Sequence, residues 1–231
     1  MMKASTNTQK IEDEAIRLLE SGKLRRAERV LKGLLANDPD SLAAHFNLAR
    51  VYWRTEEYEC ALLHARRTLR LNPKEANACL NLGLIYEFMG RDKLASYYYK
   101  RELSRDPGST ETLFNIGRLY FSNHRWLRAS KYLRRCFDLG NLFRVEDTVY
   151  KLGECYFKLH DLQSFIDVYK RYLQMVPNAS WAAANLGGAL LRAKEYRHAV
   201  LWLSRARQLG VKHSVDVELA RAKKMVMKGF V

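Results

Sequence analysis

Proline and glycine are scarce in this sequence, with 4 Pro and 12 Gly in 231 residues. This composition favours long helices over a chain of many turns. Long apolar runs are also missing, since no stretch approaches the roughly 18 apolar residues of a membrane-spanning helix. The N-terminal MMKASTNTQK has no apolar segment after its Lys and does not resemble a secretory signal. We therefore expect no transmembrane segment.

Cysteine is scarce too, and the four residues are Cys60, Cys79, Cys136 and Cys155. None forms a CxxC pair, and none has a His at metal-ligand spacing. We expect reduced thiols that are mostly packed in the interior. This indicates a cytoplasmic protein, with peripheral attachment to an intracellular membrane or large complex as a further option.

Motifs that would carry catalysis are absent. No glycine-rich phosphate loop follows a strand, no Ser or Cys stands in a nucleophile motif, and the six His are scattered. The sequence therefore predicts a protein that is not an enzyme and has no cofactor or metal.

Basic residues exceed acidic ones, 40 to 25, which gives a net charge of +15. Charge of this sign favours an acidic partner, a nucleic acid or an acidic membrane surface, but it does not predict a fold. The clearest basic stripe is Arg128, Lys131 and Arg135, spaced i, i+3 and i+7 on a predicted helix. A solvated helix face is the alternative interpretation of this stripe.

A motif recurs every 34 residues, as NLARVY, NLGLIY and NIGRLY from Asn47, Asn81 and Asn115. Pro and small residues repeat at the same interval, at Pro39, Pro73, Pro107, Ala27, Ala61, Ala95 and Ala129. Self-similarity with a fixed period indicates stacked supersecondary units. Each repeat contains two segments with helical spacing of apolar residues, separated by a polar turn. Small residues on both segments would let the two backbones approach closely.

These features resemble the tetratricopeptide-repeat family. The family pattern is matched by Cys79, Leu82, Gly83, Tyr86, Ala95, Tyr99 and Pro107, and only Glu102 departs from it. The resemblance implies an all-α, right-handed solenoid with six repeats at 8–41, 42–75, 76–109, 110–145, 146–179 and 180–213. We expect a single domain over 8–231, a disordered segment at 1–7 and a capping helix in 214–231.

Three details depart from a regular array. The fourth repeat carries two extra residues in DLGNLFRV and has no Pro, and Phe165 stands where Ala is expected. We expect a wider fifth helix pair and a hinge between repeats four and five. His124 and His160 stand at the first turn, where Gly is common, and are expected to be turn residues rather than metal ligands.

The resemblance also implies that the first helix of each repeat lines a concave groove. The candidate groove residues are Phe46, Asn47, Arg50, Trp53, Leu80, Asn81, Leu84, Phe114, Asn115, Arg118, Phe121, Tyr150, Lys151, Phe157 and Asn185. Aromatic and Arg side chains carry much of the binding energy at interfaces. The alternative is that these aromatics pack between neighbouring repeats.

Asn recurs at the sixth position of four repeats. Its amide offers a donor and an acceptor, which suits an extended peptide backbone, and similar repeat proteins hold peptides with such a ladder. The alternative is that Asn only forms hydrogen bonds within its repeat. No repeat has the Lys at the fifth and Asn at the ninth position that grip a chaperone tail in some relatives.

The sequence thus predicts a scaffold or adaptor that binds a peptide or protein partner with acidic and apolar residues and promotes assembly. A self-assembling bacterial scaffold is one form of this function. The alternative is binding of nucleic acid or an acidic membrane surface through Arg128, Lys131 and Arg135 on the convex face.

Overall fold

The computed structural model describes residues 2–140 and 144–229, with side chains from Thr8 onward, and contains thirteen helices and no strand in those ranges. The helices are α1 (Met2–Glu20), α2 (Leu24–Asn37), α3 (Leu42–Arg54), α4 (Tyr58–Leu71), α5 (Ala78–Phe88), α6 (Asp92–Arg105), α7 (Thr110–Ser122), α8 (Trp126–Asp138), α9 (Val145–Lys158), α10 (Leu162–Met175), α11 (Ser180–Arg192), α12 (Tyr196–Gln208) and α13 (His213–Met227). The predicted all-α fold, with two helices in each repeat and one after the last, is confirmed.

The turn inside each repeat contains one residue in the left-handed backbone conformation. These residues are Gly22, Glu56, Gly90, His124, His160 and Lys194, with φ between 54° and 72°. The next N–H then bonds back to the preceding helix, as from Lys23 N to Leu18 O at 2.8 Å. Such bonds satisfy carbonyl groups that a helix end would leave unpaired. His124 and His160 are therefore turn residues, as predicted.

Small residues let the paired helices pack closely. A Cβ atom on Gly83 of α5 would lie 2.3 Å from the ring of Tyr99 on α6. A Cβ on Gly153 of α9 would lie 2.6 Å from the ring of Tyr169 on α10. Both distances are far below van der Waals contact, so these helix pairs require glycine.

Glu102, the one departure from the family pattern in its repeat, is buried in α6. Its Oε1 accepts a hydrogen bond from the backbone N–H of Asn77, the residue before α5, at 3.3 Å. The longer side chain therefore reaches the start of the first helix of its own repeat, where backbone N–H groups lack helical partners.

The described residues form two compact groups, an N-terminal unit up to Leu119 and a C-terminal unit from Tyr120. In the N-terminal unit, consecutive helices from α1 to α6 pack together, and α3 also contacts α1 and α5. In the C-terminal unit, consecutive helices from α8 to α13 pack together, and α11 also contacts α13. The single domain over 8–231 stays a prediction.

Two further expectations concern the N-terminus and the junction between repeats four and five. The structure begins α1 at Met2, whereas a disordered segment was expected over 1–7; no Pro or Gly interrupts the sequence from Met2 to Glu20, so nothing local stops the helix earlier. Residues 141–143 of DLGNLFRV lie outside the described residues, and the hinge predicted there stays a prediction.

Candidate functional site

Several candidate groove residues of the N-terminal unit are buried. Leu80 is 3% exposed, Phe114 is 1% exposed and Asn47 is 4% exposed. Phe46, Arg50, Trp53 and Leu84 are half-buried. The ring of Trp53 on α3 meets that of Phe88 on α5 edge-on, at 5.3 Å between centroids. Packing between repeats therefore accounts for part of the aromatic surface expected here.

The four Asn residues at the sixth position have different surroundings. Asn47 uses its amide inside α3, donating to Ala43 O at 3.0 Å and accepting from Arg50 Nη1 at 3.1 Å. Asn115 is buried, and the buried Nδ2 of Asn81 has no hydrogen-bond partner among the described residues. Asn185 is exposed and donates to Tyr169 Oη at 3.4 Å. The amide of Asn47 is thus used in hydrogen bonds within its own helix, whereas Asn185 is accessible on α11.

Arg118 is held by a carboxylate rather than left free for a partner. Its two terminal nitrogens lie 2.9 Å from Oε1 and Oε2 of Glu87, in a bidentate pair between α7 and α5. Tyr99 donates to the same Glu87 Oε2 at 2.7 Å. Burial raises the pKa of the Glu87 carboxyl, while the bonds from Tyr99 and Arg118 act in the opposite direction. Sequence reasoning did not predict this pairing.

The C-terminal unit contains an open cavity of about 590 Å³ lined by residues of α9, α10, α11 and α13. Helix α9 contributes Tyr150, Glu154 and Phe157, which share one face because they are spaced i, i+4 and i+7. These are the fifth, ninth and twelfth positions of the fifth repeat. Helix α11 contributes Ala184, Asn185 and Gly188 from the equivalent face of the sixth repeat. The structure thus brings Tyr150, Phe157 and Asn185 together.

The cavity has an aromatic lining that is open to solvent. Tyr150 is 52% exposed and Phe157 is 49% exposed. Behind them, Phe165 stacks on Tyr169 of the same helix with centroids 4.4 Å apart and planes tilted by 10°. The guanidinium of Arg192 lies 5.1 Å from the centroid of the Phe157 ring. Phe165, which stands where Ala was expected, lies at the cavity wall.

Sequence reasoning missed the contribution of α13. Val215, Leu219 and Ala222 bury one stripe of this helix at i, i+4 and i+7. That packing places the side chain of Glu218 at the cavity. A Cβ on Gly188 of α11 would lie 3.1 Å from Glu218 Oε2, so glycine leaves room for the carboxylate. The apolar stripe of α13 can be recognised in the sequence, but the sequence does not show which helix that stripe packs against.

The remaining two candidates of the C-terminal unit are engaged locally. Lys151 pairs with Asp147 one turn earlier on α9, and its Nζ lies 5.7 Å from the centroid of the Phe121 ring. Phe121 also meets Trp126 edge-on at 5.3 Å. These side chains form a cluster beside the start of α8 rather than part of the cavity.

The predicted basic stripe lies on α8 with all three side chains exposed. The Arg128 guanidinium is 5.7 Å from the centroid of the Tyr120 ring. Nearby, Asp138 joins Arg134 at 3.0 Å and Arg171 at 2.5 Å. The stripe is accessible to a ligand, but its helix face also carries this mixed-charge network.

Three of the four thiols are buried, and only Cys60 is exposed. Burial raises the pKa of Cys155 to about 12, with the charge of Glu154 acting in the same direction. Such thiols are poor nucleophiles at neutral pH. Within residues 2–140 and 144–229, no group of three His, Cys, Asp or Glu side chains could hold a metal ion, and no helix is long and apolar enough to cross a membrane.

Comparisons with known proteins agree with the repeat pattern. Two family models described as Tetratricopeptide repeat match residues 12–76 and 78–111. A repeat protein from Cytophaga hutchinsonii, solved as its C-terminal part, has 17% identity, covers 86% of this chain and 78% of its own, and gives a TM-score of 0.71.

Two further solved structures share this fold. YrrB, described as a TPR protein with an unusual peptide-binding site, has 18% identity, covers 84% of this chain and 97% of its own, and gives a TM-score of 0.62. MamA has 20% identity, with coverage of 74% and 92% and a TM-score of 0.61. No curated protein matches the chain. At these identities the similarity concerns the fold.

Proposed function

Because the chain belongs to the tetratricopeptide-repeat superfamily, we propose that it is a non-enzymatic scaffold that binds a peptide segment of a partner protein and promotes assembly. Proteins of this fold are interaction scaffolds in general, and YrrB is described as binding peptide. The peptide contacts the exposed face of the first helices, and the partner carries acidic and apolar residues that complement a chain of net charge +15.

The observation that carries this proposal is the cavity of the C-terminal unit. Its volume of about 590 Å³ lies in the usual range for ligand sites. Tyr150 and Phe157 expose about half of their surface there, although Phe is among the residues most often buried in a core. Ala184 and Gly188 on the opposite helix leave the space open. Exposed aromatics in a concave site are typical anchors for a peptide side chain.

Replacing Phe157 by Ala tests the proposal. Peptides selected from a random library against the full chain are synthesised with a fluorophore, and their affinity is measured by fluorescence anisotropy. We expect Phe157→Ala to weaken binding about tenfold or more, because truncation of a buried aromatic anchor costs 2 kcal/mol or more. The matched control is Leu201→Ala, which removes an exposed apolar side chain on α12 outside the cavity. Equal losses in the two variants, or no selected peptide, would contradict the proposal.

Nucleic acid or an acidic membrane surface is the second candidate ligand. The observation in its favour is the exposure of Arg128, Lys131 and Arg135 on one helix. Self-association is a further form of the scaffold function and stays a prediction.

A further inference from the structure

We propose that the cavity of the C-terminal unit takes a lysine or arginine side chain of the bound peptide between Glu154 and Glu218, an inference that rests on the peptide-binding function proposed above. The partner segment then carries one cationic residue at this site. This chemistry is opposite to that expected from the net charge of the chain.

The two carboxylates have no counterion among the residues that the structure describes. Glu154 of α9 and Glu218 of α13 are half-buried and line the same cavity. Among the described residues, neither makes a hydrogen bond or an ion pair. The chain has 40 basic side chains, and two other half-buried carboxylates do have one as a partner, Glu28 with Lys32 and Glu87 with Arg118. A partly desolvated carboxylate without a partner favours an incoming cation.

The aromatic residues beside Glu154 favour the same ligand. Tyr150 precedes Glu154 by four residues and Phe157 follows it by three, so the carboxylate lies between two exposed rings on one helix face. A cation held by Glu154 would therefore lie near aromatic rings, and such contacts are attractive. Arg192 lies 5.1 Å from the Phe157 centroid and gives an example of a guanidinium accepted by this ring.

Arg192 and His160 also line the cavity, so an anionic ligand is the rival occupant. The lining holds two carboxylates and one guanidinium, so the cavity is locally negative in a chain of net charge +15. A peptide rich in cations would be repelled by the rest of such a chain. The structure therefore favours a single Lys or Arg within an otherwise acidic and apolar segment.

The test uses peptides selected from a random library against the full chain. Their affinity is measured for the wild type, Glu154→Gln, Glu218→Gln and the double variant. We expect Lys or Arg at one position of the selected peptides, and a loss of about tenfold or more in the double variant, because hydrogen bonds to charged groups are stronger than those between neutral groups. Exchange of that Lys for norleucine should weaken binding to the wild type and change little in the double variant.

The matched control is Asp167→Asn, which neutralises an exposed carboxylate of α10 outside the cavity. It should leave affinity unchanged, and circular dichroism checks that each variant remains helical. A charge exchange adds a second readout, since Glu218→Lys should improve binding of the peptide in which Lys is replaced by Glu.

The outcomes separate this inference from the proposed function. Peptides that bind equally to the wild type and the double Gln variant, but are lost with Phe157→Ala, would overturn the cation inference and leave the peptide site in place. Selected peptides whose acidic group depends on Arg192 would overturn it in the same way. Failure to select any peptide, or affinity that no cavity variant changes, would overturn both.

Discussion

Two histidines meet inside the second repeat, where His45 of α3 and His64 of α4 have 2.8 Å between their Nδ1 atoms. His45 Nε2 lies 3.0 Å from Pro39 O. Since a carbonyl only accepts, Nε2 carries the hydrogen, and the neutral ring offers its Nδ1 lone pair to the N–H of His64. The His64 ring stacks on Tyr52, whose hydroxyl donates to Glu28, and Lys32 pairs with that carboxylate.

This arrangement predicts a loss of stability in acid. Burial lowers the pKa of His64 to about 4, and the charges of His45 and Lys32 act in the same direction. An unfolded His titrates near pH 6.5, so between those values the unfolded state binds more protons and stability falls as the pH falls. Allowing for solvent screening, we expect His64 to contribute a loss of about 2 kcal/mol in the free energy of unfolding by pH ~4.5. Urea unfolding of the wild type and His64→Phe at pH ~7 and ~4.5 measures it.

His64→Phe keeps a ring against Tyr52 and removes the titrating group. It should be less stable than the wild type at neutral pH but lose less stability on acidification. His198→Phe, at an exposed position of α12, is the control and should keep the wild-type pH slope. Identical slopes for His64→Phe and the wild type would show that the pair does not set the acid sensitivity.

Helices and turns place opposite demands on glycine in this chain. Gly33 lies inside α2 with no atom within 4 Å of an added Cβ. Gly90 lies in the turn after α5, also with open space around it, but its φ is +69°. The two positions therefore differ in backbone conformation and not in steric room.

The same substitution should have opposite effects at these two positions. Gly33→Ala should stabilise the protein by about 0.5–1 kcal/mol, because Ala loses less backbone entropy in a helix. Gly90→Ala should destabilise it by about 1–2 kcal/mol, because a Cβ strains the left-handed conformation. Thermal unfolding followed by circular dichroism measures both, and shifts of the same sign would contradict the assignment of the turn.

The chain as a whole has an excess of basic side chains. Nucleic acid binding through net charge alone must therefore be distinguished from binding through the basic stripe on α8. The exposed stripe of Arg128, Lys131 and Arg135 is one basic surface of the C-terminal unit. Helix α2 of the N-terminal unit carries three exposed arginines of its own, Arg25, Arg26 and Arg29. Replacing either set of three residues by Ala therefore removes the same charge, but from a different helix.

Replacing the three residues of the α8 stripe by Ala should reduce binding to poly(U) if this helix contacts the phosphates. The slope of log affinity against log salt should then fall by about 2, since each phosphate contact on a single strand contributes about 0.7. The triple Ala variant of Arg25, Arg26 and Arg29 removes the same charge and should change the slope little. Equal effects would assign the binding to net charge alone, and no binding in any variant would reject the second candidate function.

The helices and their pairing could be predicted from the sequence, because the information is local and repeats every 34 residues. Apolar spacing sets each helix face, small residues such as Gly83 permit close packing against Tyr99, and the turn position is marked at Gly22 and Gly90. These features depend on backbone geometry and on neighbours within one repeat. The same register also placed Tyr150 and Phe157 on the face of the first helix that lines the cavity.

The partners of the polar groups could not be predicted in this way. The register gives the face on which a side chain lies, but not which group from another helix meets it. Arg118 is occupied because Glu87 of the preceding repeat lies within 2.9 Å, whereas Glu154 faces an open cavity whose second carboxylate comes from α13, more than sixty residues later. Whether a charged side chain has a partner depends on distances of a few ångströms between segments that are far apart in the sequence. Only the tertiary structure sets those distances.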